Sequence, residues 1–275
     1  MAPTSNLLVE IAGRCWRVGT HGHDLSIPLQ FDAAQPRFFG APYASSKPLA
    51  AGRFTGEVRR GSSCNCATIT LTPHCNGTHT ECLGHVTHQR MSVRDAAVEP
   101  FCPALLISVQ PCPAAQSGEG AEPAPRPTDL LITRAALQSA LAGQALDDPP
   151  ALIVRTLPHD SGRMHRDYDD GAAAPYFSSQ AMHWIVAHGV RSLIVDLPSI
   201  DRSDSAHLTA HRIFWGLPAH STDAAEATRP RAVITELAYV EPHIADGPYL
   251  LNLQVAPFVS DAAPSRPVLL PLLPA

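Results

Sequence analysis

The stretch His74-Cys75-Asn76-Gly77-Thr78-His79-Thr80-Glu81-Cys82-Leu83-Gly84-His85 gathers more metal-binding and proton-carrying side chains than any other part of the chain. The preceding Ala67-Thr68-Ile69-Thr70-Leu71-Thr72 is β-branched and alternates apolar with hydroxyl side chains, which predicts a strand leading into it. If that extended backbone continues through Glu81, Cys75, His79 and Glu81 share one face and His74 points to the other, because alternate strand residues lie on the same side. Gly77, lacking a side chain, lets backbone or ligand approach closely. A thiolate, an imidazole and a carboxylate meeting at one point form a donor set suited to zinc or a similar divalent ion. A lone His or Cys in a strand is usually a packed core residue. Several within one short segment, three of them sharing parity, point instead to a site.

Composition narrows the function classes. A 275-residue chain with a net charge of −5 and a pI near 6.2 offers no basic face for nucleic acid. No apolar run reaches the roughly twenty residues that span a bilayer, and the N-terminus lacks a basic region followed by an apolar signal core. These features predict a cytoplasmic protein acting on a small molecule. The seven cysteines are an odd number, read as reduced thiols. Cys64, Cys66, Cys75 and Cys82 fit no standard zinc ribbon or finger. No composition break divides the chain, so one domain over residues 1–275 is expected.

Along the chain, Phe31, Phe38, Phe39 and Tyr43 are interleaved with Pro36, Gly40 and Pro42, a loop suited equally to lining a pocket or to packing. Residues 47–66 read as a hairpin leading into the motif strand. Phe101–Val109 and Ala151–Thr156 are apolar runs of strand length. Residues 112–127 read as a surface loop or mobile insertion, and Thr133 caps a helix through about Leu141. The acidic loop 158–174 is a solvated segment that can also serve as a lid. Ser178 starts a helix that Gly189 ends, and the strand Val190–Asp196 follows, a βαβ-like arrangement. Asp204 or Ser205 is expected to cap a further helix carrying His207 and His211 on one face. Glu236, in the apolar strand Val233–Leu237, needs a partner, because a buried unpaired carboxylate costs several kcal/mol. Apolar strands at 249–255 and 267–272 close the core.

The segment Cys75-Asn76-Gly77-Thr78-His79-Thr80-Glu81, with His85 four residues on, resembles the His-x-Gly-Thr-His-x-Asp-x-Pro-x-His signature of the cyclase family of metal-dependent hydrolases, which includes bacterial kynurenine formamidase and isatin hydrolase. Gly77, Thr78, His79 and His85 match, while Cys75, Glu81 and Leu83 stand where the signature has His, Asp and Pro. Asp24-Leu25-Ser26 is similar to the family's opening, and Ser199-Ile200-Asp201, His211 and Glu236 fall at its later elements. The resemblance implies a swivelling β/β/α fold of the α/β class, assembled as a homodimer or larger homo-oligomer. It implies a metal site drawing on Cys75, His79, Glu81, His85, His211 and Glu236, most simply holding Zn2+, with Mn2+ as the alternative. It implies hydrolysis of a C–N bond in a small amide, with His85 or Glu236 moving the proton and His211 holding a second ion or the oxyanion. An altered member that only binds a metal or small molecule is the other outcome.

Overall fold

The computed structural model describes residues 7–11, 13–97, 99–142, 144, 150–171 and 173–275. Seven strands close a barrel: β1 (His79–Glu81), β2 (Phe101–Val109), β3 (Ala151–Thr156), β4 (Ser192–Val195), β5 (Val233–Glu236), β6 (Gly247–Val255) and β7 (Ala262–Pro274). Their order is β7-β6-β2-β3-β4-β5-β1, and β1 pairs back onto β7 to complete the circle. Strands β2 to β5 run parallel, and β1, β6 and β7 join them antiparallel. An N-terminal hairpin, Leu8–Ile11 with Arg14–Val18, extends the far end of β7.

Period two explains how these short strands are buried on both sides. In β2, Ala104 and Leu106 pack inside the barrel with Ala151, Ile153, Ile194 and Val233. The intervening Leu105 and Ile107 face outward with Leu152, Val154, Leu193 and Val195. Each fully buried Leu or Ile contributes about 1.5–3 kcal/mol of burial free energy. Three helices, α1 (Arg134–Leu141), α2 (Ser179–Ala187) and α3 (Thr209–Trp215), cover that outer face through Leu137, Met182, Ile185, Phe214 and Trp215. As the sequence predicts, Thr133 and Ser178 cap their helices, accepting from Ala136 N at 3.1 Å and Ala181 N at 3.0 Å. Gly189 takes a φ of +71° just past α2, a conformation that favours glycine.

Four local expectations change. The chain does not stay extended through the motif: Pro73–Asn76 form a helical turn, with proline at its start, and extended backbone resumes only after Gly77. The strand Ala67–Thr70 pairs with Ser45–Pro48 in an exposed hairpin, separate from the barrel. Neither Asp204 nor Ser205 caps α3. Its first residues follow Leu208, at a φ of +48°, and Asp201 accepts from Ala210 N and His211 N instead. His207 therefore lies before the helix and shares no helical face with His211. Finally, residues 112–127 are tied down: Cys112–Pro113 joins a small sheet with Leu130–Ile132 and Tyr176–Phe177, and the nearby Glu119 accepts from Arg134 N and Ser178 Oγ. No helix among the described residues is long and apolar enough to cross a membrane.

Candidate active site

The register of β1 against β5 builds the site. Glu81 faces Ile234, Thr80 faces Thr235 and His79 faces Glu236 across the antiparallel pair. Directly opposed residues share a face, so His79, Glu81 and Glu236 all project with Ile234 toward α3, while Thr80 and Thr235 turn into the barrel. Helix α3 brings His211 from the other side, placing its Nε2 2.9 Å from Glu81 Oε1 and 3.4 Å from Glu236 Oε1. His79 Nε2 lies 3.6 Å from Glu236 Oε2.

Each group is held by a contact on its far side. His79 Nδ1 donates to Gly77 O at 2.9 Å and His211 Nδ1 to Asp201 Oδ2 at 2.7 Å, which leaves both Nε2 lone pairs pointing inward. Glu236 Oε1 accepts from Ile200 N at 2.8 Å. Thr78 Oγ1 accepts from Ile27 N and donates to Leu237 O, locking the motif to the residue after Glu236. Leu237 and Leu208 have φ of +52° and +48°, so non-glycine residues in left-handed backbone sit beside Glu236 and before α3.

What these groups lack is as informative. His79 Nε2, His211 Nε2 and both oxygens of Glu81 are buried, yet none makes a hydrogen bond of good geometry among the described residues. Four orphaned polar atoms, two lone-pair nitrogens and two carboxylate oxygens, are the donor set a divalent cation satisfies. His79, Glu81 and Glu236 form one group with the spacing of cation ligands, and His74, Glu81 and His85 form a second. Burial alone would raise the Glu81 carboxyl, but the imidazoles of His85 and His211 hold it well below the usual range. Burial opposes a charge on His211, and Glu81 and Asp201 outweigh it, so its pKa is raised. The same contest at His74 ends with Asp261 and Glu81 holding the imidazole at about 10.

The expected residues divide accordingly. His79, Glu81, His85, His211 and Glu236 come together. Cys75 lines the same cavity but belongs to neither ligand group, because the turn at Pro73–Asn76 breaks the parity that placed it with His79. Burial, with Asp169 and Glu236, pushes its thiol up, away from thiolate. That same turn brings His74, expected on the opposite face, to 2.9 Å from Glu81 Oε2. The proline after Thr72 was the available signal for the turn. Asp261 was not anticipated at all. It arrives just before β7, from a Ser-Asp pair with nothing distinctive around it.

A cavity of about 370 Å³ opens above the cluster, with His74, Cys75, His85, His211 and Glu236 at its base. Phe38, Phe39 and Leu208 form apolar walls, so the aromatic loop lines the pocket. Loop 158–174 braces that loop: Arg37 Nε donates to Asp167 at 2.8 Å and Gly40 N to Asp169 at 2.8 Å. Arg202 also reaches the wall, but its guanidinium is engaged by Asp129 and Asp204.

A sequence model of the family described as "Putative cyclase" matches residues 23–202. The chain belongs to the cyclase family. That places it among hydrolase- and cyclase-type enzymes. It is 29% identical over 206 residues to the kynurenine formamidase of Bordetella pertussis, covering 74% of this chain and 80% of that one. Against the kynurenine formamidase of Bordetella petrii it is 27% identical over 249 residues, covering 90% and 96%. Among solved structures, a novel cyclase superposes with a TM-score of 0.61 at 15% identity, over 92% of this chain and 89% of that one. Isatin hydrolase A from Ralstonia solanacearum gives 0.60 at 16% identity, over 91% of each. These likenesses establish the mixed α/β barrel as the cyclase-family fold.

Proposed function

We propose that this cyclase-family member is a metal-dependent hydrolase that cleaves the C–N bond of a small amide, an N-aryl formamide or a cyclic amide. The observation that carries this reading is the set of orphaned donors, His79 Nε2, His211 Nε2 and the two Glu81 oxygens, buried beneath an apolar cavity. His79, Glu81 and Glu236, with His211 alongside, would hold the cation, Zn2+ being the simplest choice and Mn2+ the alternative. Such a cation supplies Lewis acidity and lowers the pKa of water at the site.

The chain's own residues supply the rest. Phe38, Phe39 and Leu208 receive a flat apolar ring, and a cavity of this volume suits a small molecule. The wall's basic group, Arg202, is already neutralised by two carboxylates, which favours an uncharged amide over an anionic one. His85, half-buried at the cavity base, is placed to take a proton from water and return it to the leaving nitrogen. Glu236 Oε1 is fixed by Ile200 N, which keeps Oε2 turned toward His79. His211, held by Asp201 through Nδ1, presents its Nε2 lone pair to the base of the cavity beside Glu81 and Glu236, where it would complete the cation's ligand set. The relatives named kynurenine formamidase and isatin hydrolase support the bond type.

We further take the chain as one swivelling β/β/α domain, since β7 pairs with both the N-terminal hairpin and β1. A homodimer or larger assembly in the cytoplasm is part of the same reading, and seven free cysteines agree with a reducing compartment. The test is a panel of aryl formamides and isatin-type lactams, run with added Zn2+ or Mn2+ beside elemental analysis of the purified protein. Turnover that is lost in His85→Ala with metal content unchanged supports the enzyme. Bound metal with no turnover on any amide leaves a binding protein.

A further inference from the structure

Two neighbouring aromatic residues on the cavity wall are held in unlike ways. Phe38 is half-buried and packs its ring edge-on against Tyr168, with 6.5 Å between centroids and 88° between planes. Phe39 is 71% exposed and takes a φ of +59°, followed by Gly40 at +64°. Its ring leans on Phe38, 5.9 Å between centroids, and lies open to the cavity. A bulky side chain in left-handed backbone is strained, and a ring so exposed gains little by burial, so something else holds Phe39 in place. Loop 158–174 supplies that hold. Asp169 Oδ2 accepts from Gly40 N at 2.8 Å, which fixes the Phe39–Gly40 peptide. Asp167 Oδ2 accepts from Arg37 Nε at 2.8 Å and from Tyr43 Oη at 3.0 Å, so the turn is clamped on both sides of Phe39. Arg37 N donates to Arg166 O and Tyr168 N to Arg37 O, stitching the two loops together through their backbones. The clamp is anchored in turn at the end of the barrel, where buried Arg163 donates to Thr156 O at 2.8 Å and pairs with Asp196, just past β4.

We propose that Asp169 is a positioning residue for the substrate's ring: by accepting from Gly40 N it fixes the left-handed turn that presents Phe39 to the cavity. This rests on the aryl-amide reading above and deepens it, naming the side chain that receives the ring and the contact that holds that side chain. Phe38 is committed to packing through Tyr168, whereas Phe39 has an open face for a ligand. A flat ring entering the cavity covers that face and stacks on or against it, as aromatic pairs do. Because Arg163 and Asp167 tie the loops down before a ligand arrives, the wall is already formed and little is lost in ordering it on binding.

Calorimetric titration of the full chain, with Zn2+ added, by indole, a flat uncharged ring with no amide to hydrolyse, tests this independently of turnover. Phe39→Ala raises the Kd about tenfold, the scale of one lost ring contact, and Asp169→Ala raises it by a similar factor. The double variant binds no worse than Phe39→Ala alone, because Asp169 acts through that ring. Asp169→Asn keeps an accepting oxygen for Gly40 N and restores wild-type affinity. On an aryl formamide, Asp169→Ala raises KM and leaves kcat unchanged. An unchanged Kd in Asp169→Ala, additive losses in the double variant, or an Asp169→Asn as weak as Asp169→Ala overturns the positioning role. Wild type that binds no indole overturns the aryl wall itself. A protein that binds indole in this pattern yet hydrolyses no amide sinks the hydrolase reading and leaves the wall standing.

Discussion

The strand pair β1 and β5 carries two opposite solutions to a buried polar residue, one on each face. Facing into the barrel, the Thr80 and Thr235 hydroxyls meet at 2.7 Å and satisfy one another. Facing α3, residues one step along on each strand, His79, Glu81 and Glu236, crowd together with donors left unmatched. The inner face is finished and structural. The outer one is arranged for something the chain does not itself contain, which is how a binding site differs from a core.

Removing the group common to both ligand clusters breaks the contrast most severely. Glu81→Gln should abolish bound metal and take amide hydrolysis to background, while the fold survives. Retained metal at wild-type stoichiometry by elemental analysis would mean that Glu81 is a core residue like Thr80. Next comes the support for His211. Asp201→Asn keeps the shape but frees the imidazole to hold the wrong tautomer, and should weaken metal binding by about 10–100-fold. An unchanged Kd would make Asp201 a helix cap alone.

The inner face should respond only in stability. Thr235→Val leaves the Thr80 hydroxyl buried and unpaired, costing about 1–3 kcal/mol in denaturant unfolding, whereas the double change Thr80→Val with Thr235→Val is nearly neutral. Metal uptake stays at the wild-type value in both. A fall in uptake would show that the two faces are not independent. A pH slope in chelated protein is a further readout. Folding raises the His74 pKa from 6.5 to about 10, so the folded state binds the extra proton. Its stabilisation is complete below about 6.5 and is lost as pH rises toward 10. His74→Gln should flatten the thermal-melt profile over that window, and an identical profile would detach His74 from the site.

Much of this was legible where local rules act alone. Alternation in Ala151–Thr156, the caps at Thr133 and Ser178, and the demand of Glu236 for a partner follow from pleat, orphan amides and desolvation, all readable from neighbours in sequence. The site was legible where a residue's position followed from its strand, as for His79 and Glu81. It failed at Cys75 and His74, because one helical turn exchanges which of two adjacent residues faces inward, and parity counted across such a turn has no meaning. It failed also at Asp261, which depends on a pairing made only when the barrel closes, and the resemblance marked Asp201 without showing that it caps α3 from several residues upstream. Periodicity placed His211 on a helix together with His207, and the family resemblance chose between the two.

That closure has a consequence for how the protein is made. Strand β1 is held on one side by β5, with Thr80 and Thr235 separated by 155 residues, and on the other by β7, which is further still along the chain. A nascent chain emerging from the ribosome therefore displays His74 through His85 long before anything exists to enclose them. Ring closure over so great a separation carries a large entropic toll and slows assembly. Until residues 262–264 have been translated, the strand that carries these side chains lacks the partner that closes the barrel around it.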